Sequence, residues 1–379
     1  MSDLRVVVAP DKFKGSLTAV EVAAHVAVGL RRVIPDLNVT CCPVADGGDG
    51  TVDAAVAAGF TRVPVTASGP TGQPVRTSFA RRGDDAVIEL ASVCGLDRLP
   101  GGRFEPETSS SYGMGEVVRA AVAGGVRRIV LGIGGSASTD GGAGLLQALG
   151  IRVLTAAGDD VGRGGAALSA AASVDLSGLP AGFADVEVIV ASDVDNPLTG
   201  ANGAAAVYGP QKGASAEQAH RLDAALTNWA QVLGRATGTD LAAHPGAGAA
   251  GGVGFAAMAA LGATRRPGID VVLELVGLGA HLTGAGLVIT GEGSLDVQSL
   301  AGKAPVGVAA AARRAGVRVV AVCGQTSLSV KELHRAGIAD AYALTGIEGD
   351  VGRCISAAGP LLEQIGAIVA RAELSDMSA

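Results

Sequence analysis

Six loops in this 379-residue chain set glycines beside Asp, Glu, Lys or Ser. They are APDKFKGS from Ala9, VADGGDGTVDA from Val44, GIGGSASTDGGAG from Gly132, ASDVDNPLTG from Ala191, YGPQKGAS from Tyr208 and TGEGSLDVQSLAGKAP from Thr290. Glycines let backbone N–H groups close around an anion, and the neighbouring side chains can bind metal or phosphate. One Asp-Gly alone is ordinarily a turn or a helix cap; the same pattern repeated after successive strands points to a site.

Lysine usage sharpens this reading. Of the 29 basic residues five are lysines, and Lys12, Lys14, Lys212 and Lys303 lie in these loops. Lys is a compact, mobile point charge suited to a phosphate that moves during reaction. Among the carboxylates, Asp46 and Asp49 flank Gly47-Gly48 and could converge on one Mg²⁺, which takes one or two carboxylates plus water and phosphate oxygens. Asp193 and Asp195 alternate at a strand end, so at most one should enter a site while the other pairs structurally. Glu292 and Asp296 form the last acidic pair, in the loop that ends at Lys303.

The elements that position these loops follow βαβ grammar: short Val/Ile runs, each followed by an Ala-rich stretch with helical spacing. Strands are predicted at 5–9, 38–44, 86–91, 128–133, 187–191, 287–290, 318–322 and 341–344, and helices at 18–34, 51–58, 115–123, 141–149, 216–233, 251–261, 305–314 and 352–370. Thr18 with Glu21, and Ser215 with Gln218, fit capping boxes. From about Thr61 to Arg82, Gly-Pro and Gly-Gln-Pro turns suggest antiparallel strands. Residues 375–379 read as a frayed tail. In such α/β sheets ligands sit beyond the carboxyl ends of the strands, where these loops fall.

Composition sets the outer limits. The length favours two domains, and 48% hydrophobic with 17% charged residues describes a globular chain. A net charge of −7 and 3% aromatics argue against nucleic acid as partner. No apolar run long enough for a leader or a membrane span is seen, so a cytoplasmic location is expected. The five scattered cysteines, without a Cys-x-x-Cys pair, suggest reduced thiols. Gly132-x-Gly134-x-x-Ala137 imitates a dinucleotide fingerprint, but Ser136, Ser138, Thr139 and Asp140 make the turn polar and no acidic residue ends a clear second strand about twenty residues on. The P-loop, nucleophile-elbow and His-Glu-x-x-His patterns are absent from the sequence.

The motifs, in this order and along essentially the whole chain, resemble the glycerate kinases often called class I. The resemblance implies an α/β protein of two domains: a Rossmann-like parallel-sheet domain built from residues 1–62 and 286–379, and an inserted α/β domain with a mixed sheet at 63–285. It further implies ATP- and Mg²⁺-dependent phosphorylation of D-glycerate at an interdomain cleft, with 2-phosphoglycerate the usual product, by a monomer or homodimer. On this reading Gly134, Gly135, Ser136, Ser138, Thr139 and Asp140 hold ATP phosphates, and Lys14 and Lys212 neutralise charge on the moving phosphoryl group. Asp46 or Asp193 is base or metal ligand, with Asp49 a further metal candidate; Ser16, Glu292, Asp296 and Lys303 face the substrate.

Four positions depart from the family pattern. Lys12 stands where many relatives carry Ser, making Lys14 the phosphate ligand implied. Asp49 and Asp53 stand where Glu is usual, and Ser294 where an Arg is expected. Two alternatives accompany the kinase reading: a kinase for a related small hydroxy acid, and a non-catalytic sensor of a hydroxy acid or nucleotide.

Overall fold

A computed structural model describes residues 4–375; residues 376–379 of the expected tail lie outside them. Thirteen strands are described: β1 (Arg5–Pro10), β2 (Asn38–Cys41), β3 (Thr61–Ser68), β4 (Pro74–Arg82), β5 (Asp85–Glu89), β6 (Arg128–Gly132), β7 (Arg152–Leu154), β8 (Ser173–Asp175), β9 (Glu187–Ala191), β10 (Thr264–Arg266), β11 (Leu287–Leu295), β12 (Arg318–Thr326) and β13 (Ala341–Ala343). The chain separates into two compact units, the first drawn from the described part of Met1–Asp46, Asp53–Gly59 and Ile269–Ala379, the second from Gly47–Val52 and Phe60–Gly268.

The first unit holds a five-stranded sheet in the order β13-β12-β11-β1-β2, every pair parallel. Val6, Val7, Val8 and Ala9 of β1 are all fully buried, as expected of a strand covered on both faces. Helix Ala19–Val33 returns the chain from β1 to β2, and helix Ala304–Arg314 carries it from β11 to β12. The Thr18–Glu21 capping box is formed in both directions: Thr18 Oγ1 accepts from the Glu21 amide at 3.2 Å, and Glu21 Oε2 accepts from the Thr18 amide at 2.8 Å. Helix Ala19–Val33 packs against helix Ala358–Val369 through facing glycines. A Cβ on Gly29 would stand 2.1 Å from the Glu363 carbonyl oxygen, and one on Gly366 would stand 2.5 Å from that of Val26.

The second unit holds a six-stranded mixed sheet, β10-β9-β6-β5-β4-β3, in which β3, β4 and β5 are antiparallel and the rest parallel. The antiparallel hairpin occupies the stretch whose Gly-Pro and Gly-Gln-Pro turns announced it. Its alternating burial along β3 is the period of a sheet with one wet face. Helix Ala216–Thr237 begins at the second expected capping box, Ser215 with Gln218. Its Trp229 is fully buried and donates from Nε1 to the Gly141 carbonyl at 2.9 Å.

Several boundaries differ from expectation for local reasons. The helix expected at 352–370 is two, Val351–Ser356 and Ala358–Val369, broken at Ala357. Pro360 has no N–H for the Ser356 carbonyl and its ring would press on it, so a continuous helix is barred there. After β6 no helix follows directly; the next begins at Ala143, so the dinucleotide-like glycines open a loop. Strands β7, β8 and β10, three residues each, are too short for a period to show.

Candidate functional site

In the first unit, one cleft of about 340 Å³ forms beyond the ends of β1, β11 and β12. The Asp11 amide donates to the Gly291 carbonyl at 2.8 Å, fixing the loop after β1 to β11. The loop then folds as a tight turn in which Phe13 and Leu17 exchange backbone hydrogen bonds, with Gly15 at φ +78°. Phe13 sinks into the core beneath the turn, so Lys14 is left exposed and Lys12 half-buried on the cleft wall. Lys14, Ser16, Glu292, Asp296 and Lys303 all line this one cleft, although 276 or more residues separate the first two from the last three.

Their partners assign them unequal parts. Ser16 Oγ donates to the Ile355 carbonyl at 2.6 Å, so its one proton is committed and it ties the loop to helix Val351–Ser356. Asp296 Oδ1 accepts from the Gln298 amide at 2.8 Å and the Ser299 amide at 3.4 Å; it forms the turn that leads to Lys303. Both therefore shape the cleft. Lys303 is the N-cap residue of helix Ala304–Arg314, which has no side-chain cap, and its Nζ stands 3.9 Å from Glu292 Oε2. Glu292 is 8% exposed, and its Oε1 is buried with no hydrogen-bond partner. Burial pushes its carboxyl up, with the Ser299 hydrogen bond and Lys303 opposing.

Asp11 was not singled out from the sequence, although it stands in the first of the six loops. It is 8% exposed, and burial raises its carboxyl to about 7; Lys12 opposes this, and the carboxylates of Asp46 and Glu292 add to it. Asp46 thus belongs to the electrostatic surroundings of both buried acids in this unit. The signal that could have found Asp11 is position: it is the first acidic residue beyond the carboxyl end of a central parallel strand.

In the second unit, a smaller pocket of about 130 Å³ is lined by Gly134, Gly135, Ser136, Ser192, Tyr208 and Lys212 among others. Gly134 is required by close approach, since a Cβ there would stand 2.8 Å from Gly48 Cα. Lys212 is 3% exposed; its Nζ donates to Ser136 Oγ at 2.8 Å and to the Ser138 carbonyl at 2.6 Å. Burial lowers the ammonium to about 7, with Asp140 pulling it back up. Ser138, Thr139 and Asp140 are fully buried and do not line the pocket. Asp140 accepts from both Ser110 and Ser111 hydroxyls and from the Ser111, Gly142 and Gly144 amides, at 2.7 to 3.3 Å. Such a carboxylate holds the loop beneath the pocket rather than reaching a ligand.

The loop after β9 leaves the strand at Ala191, so strand alternation does not extend to Asp193 and Asp195, and both are exposed. Asp195 pairs with Arg265 at 2.5 Å, and Asp193 Oδ1 accepts the Gly268 amide at 2.9 Å. Asp49 is exposed. Among the described residues, no three His, Cys, Asp or Glu side chains converge as a ready cation-binding group. A magnesium ion arriving with phosphate needs only one or two carboxylates, and the buried, unpartnered Glu292 oxygen with Asp46 in its field fits that need.

Against known proteins, a family model described as the glycerate kinase family matches residues 6–373. The chain belongs to the glycerate kinase family. It is 44% identical over 338 residues to the glycerate kinase of Bacillus subtilis (strain 168), covering 88% of each chain. It is 43% identical to the glycerate 2-kinase of Escherichia coli (strain K12), covering 88% of this chain and 89% of that one. A crystal structure described as glycerate kinase 2 from Salmonella typhimurium LT2 superposes with a TM-score of 0.86 at 39% identity, covering 99% of this chain and all of that one. The fold is thus that of the family, and the protein is a kinase.

Proposed function

We propose that this protein transfers the γ-phosphoryl group of ATP to D-glycerate in a Mg²⁺-dependent reaction, giving 2-phosphoglycerate. The observation that carries this reading is the convergence of Lys14, Glu292 and Lys303, from opposite ends of a chain of the glycerate kinase family, on one cleft. In the transfer, the glycerate 2-hydroxyl oxygen bonds to the γ-phosphorus while the bond to the ADP oxygen breaks, and the hydroxyl proton passes to a carboxylate. Asp46 or Asp193 accepts that proton, and the other, with Asp49 and the unpartnered Glu292 oxygen, would hold the cation. Lys14 and Lys212 balance the charge that develops on the transferring group. The Gly134–Ser136 loop and Lys303 hold anionic groups of the substrates, with Ser138, Thr139, Asp140, Ser16 and Asp296 keeping them in position. When bound, Mg²⁺ would supply neutralisation of the phosphate charge during transfer.

The proposal places the enzyme in the cytoplasm as a monomer or homodimer, with its five cysteines unpaired. Among the described residues, no helix is long and apolar enough to cross a membrane.

The test is purified protein with ATP, Mg²⁺ and D-glycerate, coupled through enolase and pyruvate kinase. Turnover without phosphoglycerate mutase is the expected result. Turnover only with mutase moves the product to 3-phosphoglycerate, and none in either format, with other hydroxy acids accepted instead, moves the acceptor.

A further inference from the structure

The two pockets differ in size and in the chemistry of their walls, and these differences assign their occupants. The cleft of the first unit, about 340 Å³, falls within the range of about 300–1,000 Å³ that accommodates drug-sized ligands, whereas the pocket of the second unit, about 130 Å³, falls well below it. A three-carbon acid suits the smaller space; an adenine nucleotide needs the larger.

The walls agree. One side of the larger cleft is helix Val351–Ser356, which presents Val351 and Ile355 at 51% and 49% exposure. Large aliphatic side chains left half-exposed beside a cleft leave an apolar face for a flat base. Lys12, Lys14 and Lys303, three of the chain's five lysines, line the same cleft, with Lys303 at the uncapped start of helix Ala304–Arg314. Ammonium groups are what a polyphosphate requires. In the same cleft the buried Glu292 Oε1 lacks a donor, and a ribose hydroxyl, an exocyclic amine or a metal-bound water would each supply one.

Topology points to the same place. The connection after β1 leads to one side of the sheet, to β2, and that after β11 leads to the other, to β12, while β1 and β11 are neighbours. The crevice between them is the switch point at which parallel α/β sheets bind nucleotides. The smaller pocket offers Ser136, Ser192, Tyr208 and one buried ammonium, Lys212, a set suited to a carboxylate and hydroxyls.

We propose that the nucleotide binds in the first unit, its base against Val351 and Ile355 and its phosphates toward Lys12, Lys14 and Lys303, and that the pocket around Ser136 and Lys212 takes the hydroxy acid. This exchanges the parts that the sequence reading gives Gly134–Thr139 and Lys303. It rests on the kinase reading for there being a nucleotide at all, but not on glycerate being the acceptor.

The experiment is photolabelling of the full chain with 8-azido-ATP and Mg²⁺, without acceptor, followed by peptide mapping. Saturable label on Phe13 or on residues 345–355, removed by ATP, is expected. Label confined to residues 133–136 or 208–212 overturns the assignment and leaves the kinase reading standing; no saturable label anywhere overturns both. Independently, Ile355→Glu and Val351→Glu, at exposed positions, should each raise the Kd for a fluorescent ADP analogue at least tenfold, while Ser136→Ala changes it less than twofold. The reverse pattern overturns the assignment.

Discussion

Asp46 and Asp193, between which the proton-accepting and cation-binding parts are divided, differ in their surroundings. Asp46 lies in the field of two buried acids, Asp11 and Glu292; Asp193 is exposed and holds the Gly268 amide. Asparagine preserves a carbonyl acceptor at either place, so Asp46→Asn and Asp193→Asn should fold normally. Each is expected to lower kcat by about a hundredfold or more, as loss of such groups commonly does. Added Mg²⁺ should recover part of the rate only in the variant that lost a cation ligand, and the other should stay slow at every Mg²⁺ concentration. A variant with near-normal turnover has a structural residue at that position. The sequence revealed which residue types gather in the loops, because glycine, lysine and acid stand together there. It did not reveal which oxygens were already committed. Asp140 and Ser16 read as ligands until their five and one protein partners, respectively, are seen, since those partners lie 29 or more residues away for Ser110, Ser111 and Ile355.

At the scale of elements, the packing of helix Ala19–Val33 on helix Ala358–Val369 depends on Gly29. Alanine would gain up to about 1 kcal/mol of helix propensity, but its Cβ would stand 2.1 Å from the Glu363 carbonyl oxygen, a backbone atom that cannot swing aside. Overpacking of this kind costs about 1–3 kcal/mol, so Gly29→Ala should lower the urea midpoint. Gly279, in helix Leu278–Leu282 with open space around it, is the control; Gly279→Ala should leave the midpoint unchanged or raise it. Equal effects of the two would mean that the helices separate freely. The long elements were legible because their signals are local: Thr18 with Glu21 marks a helix start that the structure keeps, and Val6–Ala9 reads as a buried strand. A third capping box, Ser329 with Glu332, opens a helix of only six residues, too short for periodicity to draw attention to it.

For the molecule as a whole, Asp11 and Lys212 are buried ionisable groups of opposite kind, one in each unit, and they impose opposite pH dependences. Asp11, raised from 3.8 to about 7, binds more proton folded than unfolded between those values, so its contribution to stability falls as pH rises across that window. Lys212, lowered from 10.5 to about 7, binds more proton unfolded, so its contribution rises with pH above about 7. Together they place a minimum near neutrality, with limbs no steeper than about 1.4 kcal/mol per pH unit for each proton. The alkaline limb can be read separately, because the single tryptophan, Trp229, is fully buried in the same unit as Lys212. Cys94 in that unit is pushed up to about 12 by burial and works in the opposite sense at higher pH, which sets pH 7 to about 9 as the useful range. Urea unfolding followed by Trp229 fluorescence should show a stability that rises over this range in the natural protein, by a margin that Lys212→Met abolishes. The comparison of slopes is what decides, since methionine also leaves Ser136 Oγ and the Ser138 carbonyl without their ammonium partner and lowers stability at every pH. Identical slopes would mean that Lys212 keeps its proton in the fold, which would make it a permanently charged ligand for the acceptor's carboxylate rather than a group whose charge follows pH.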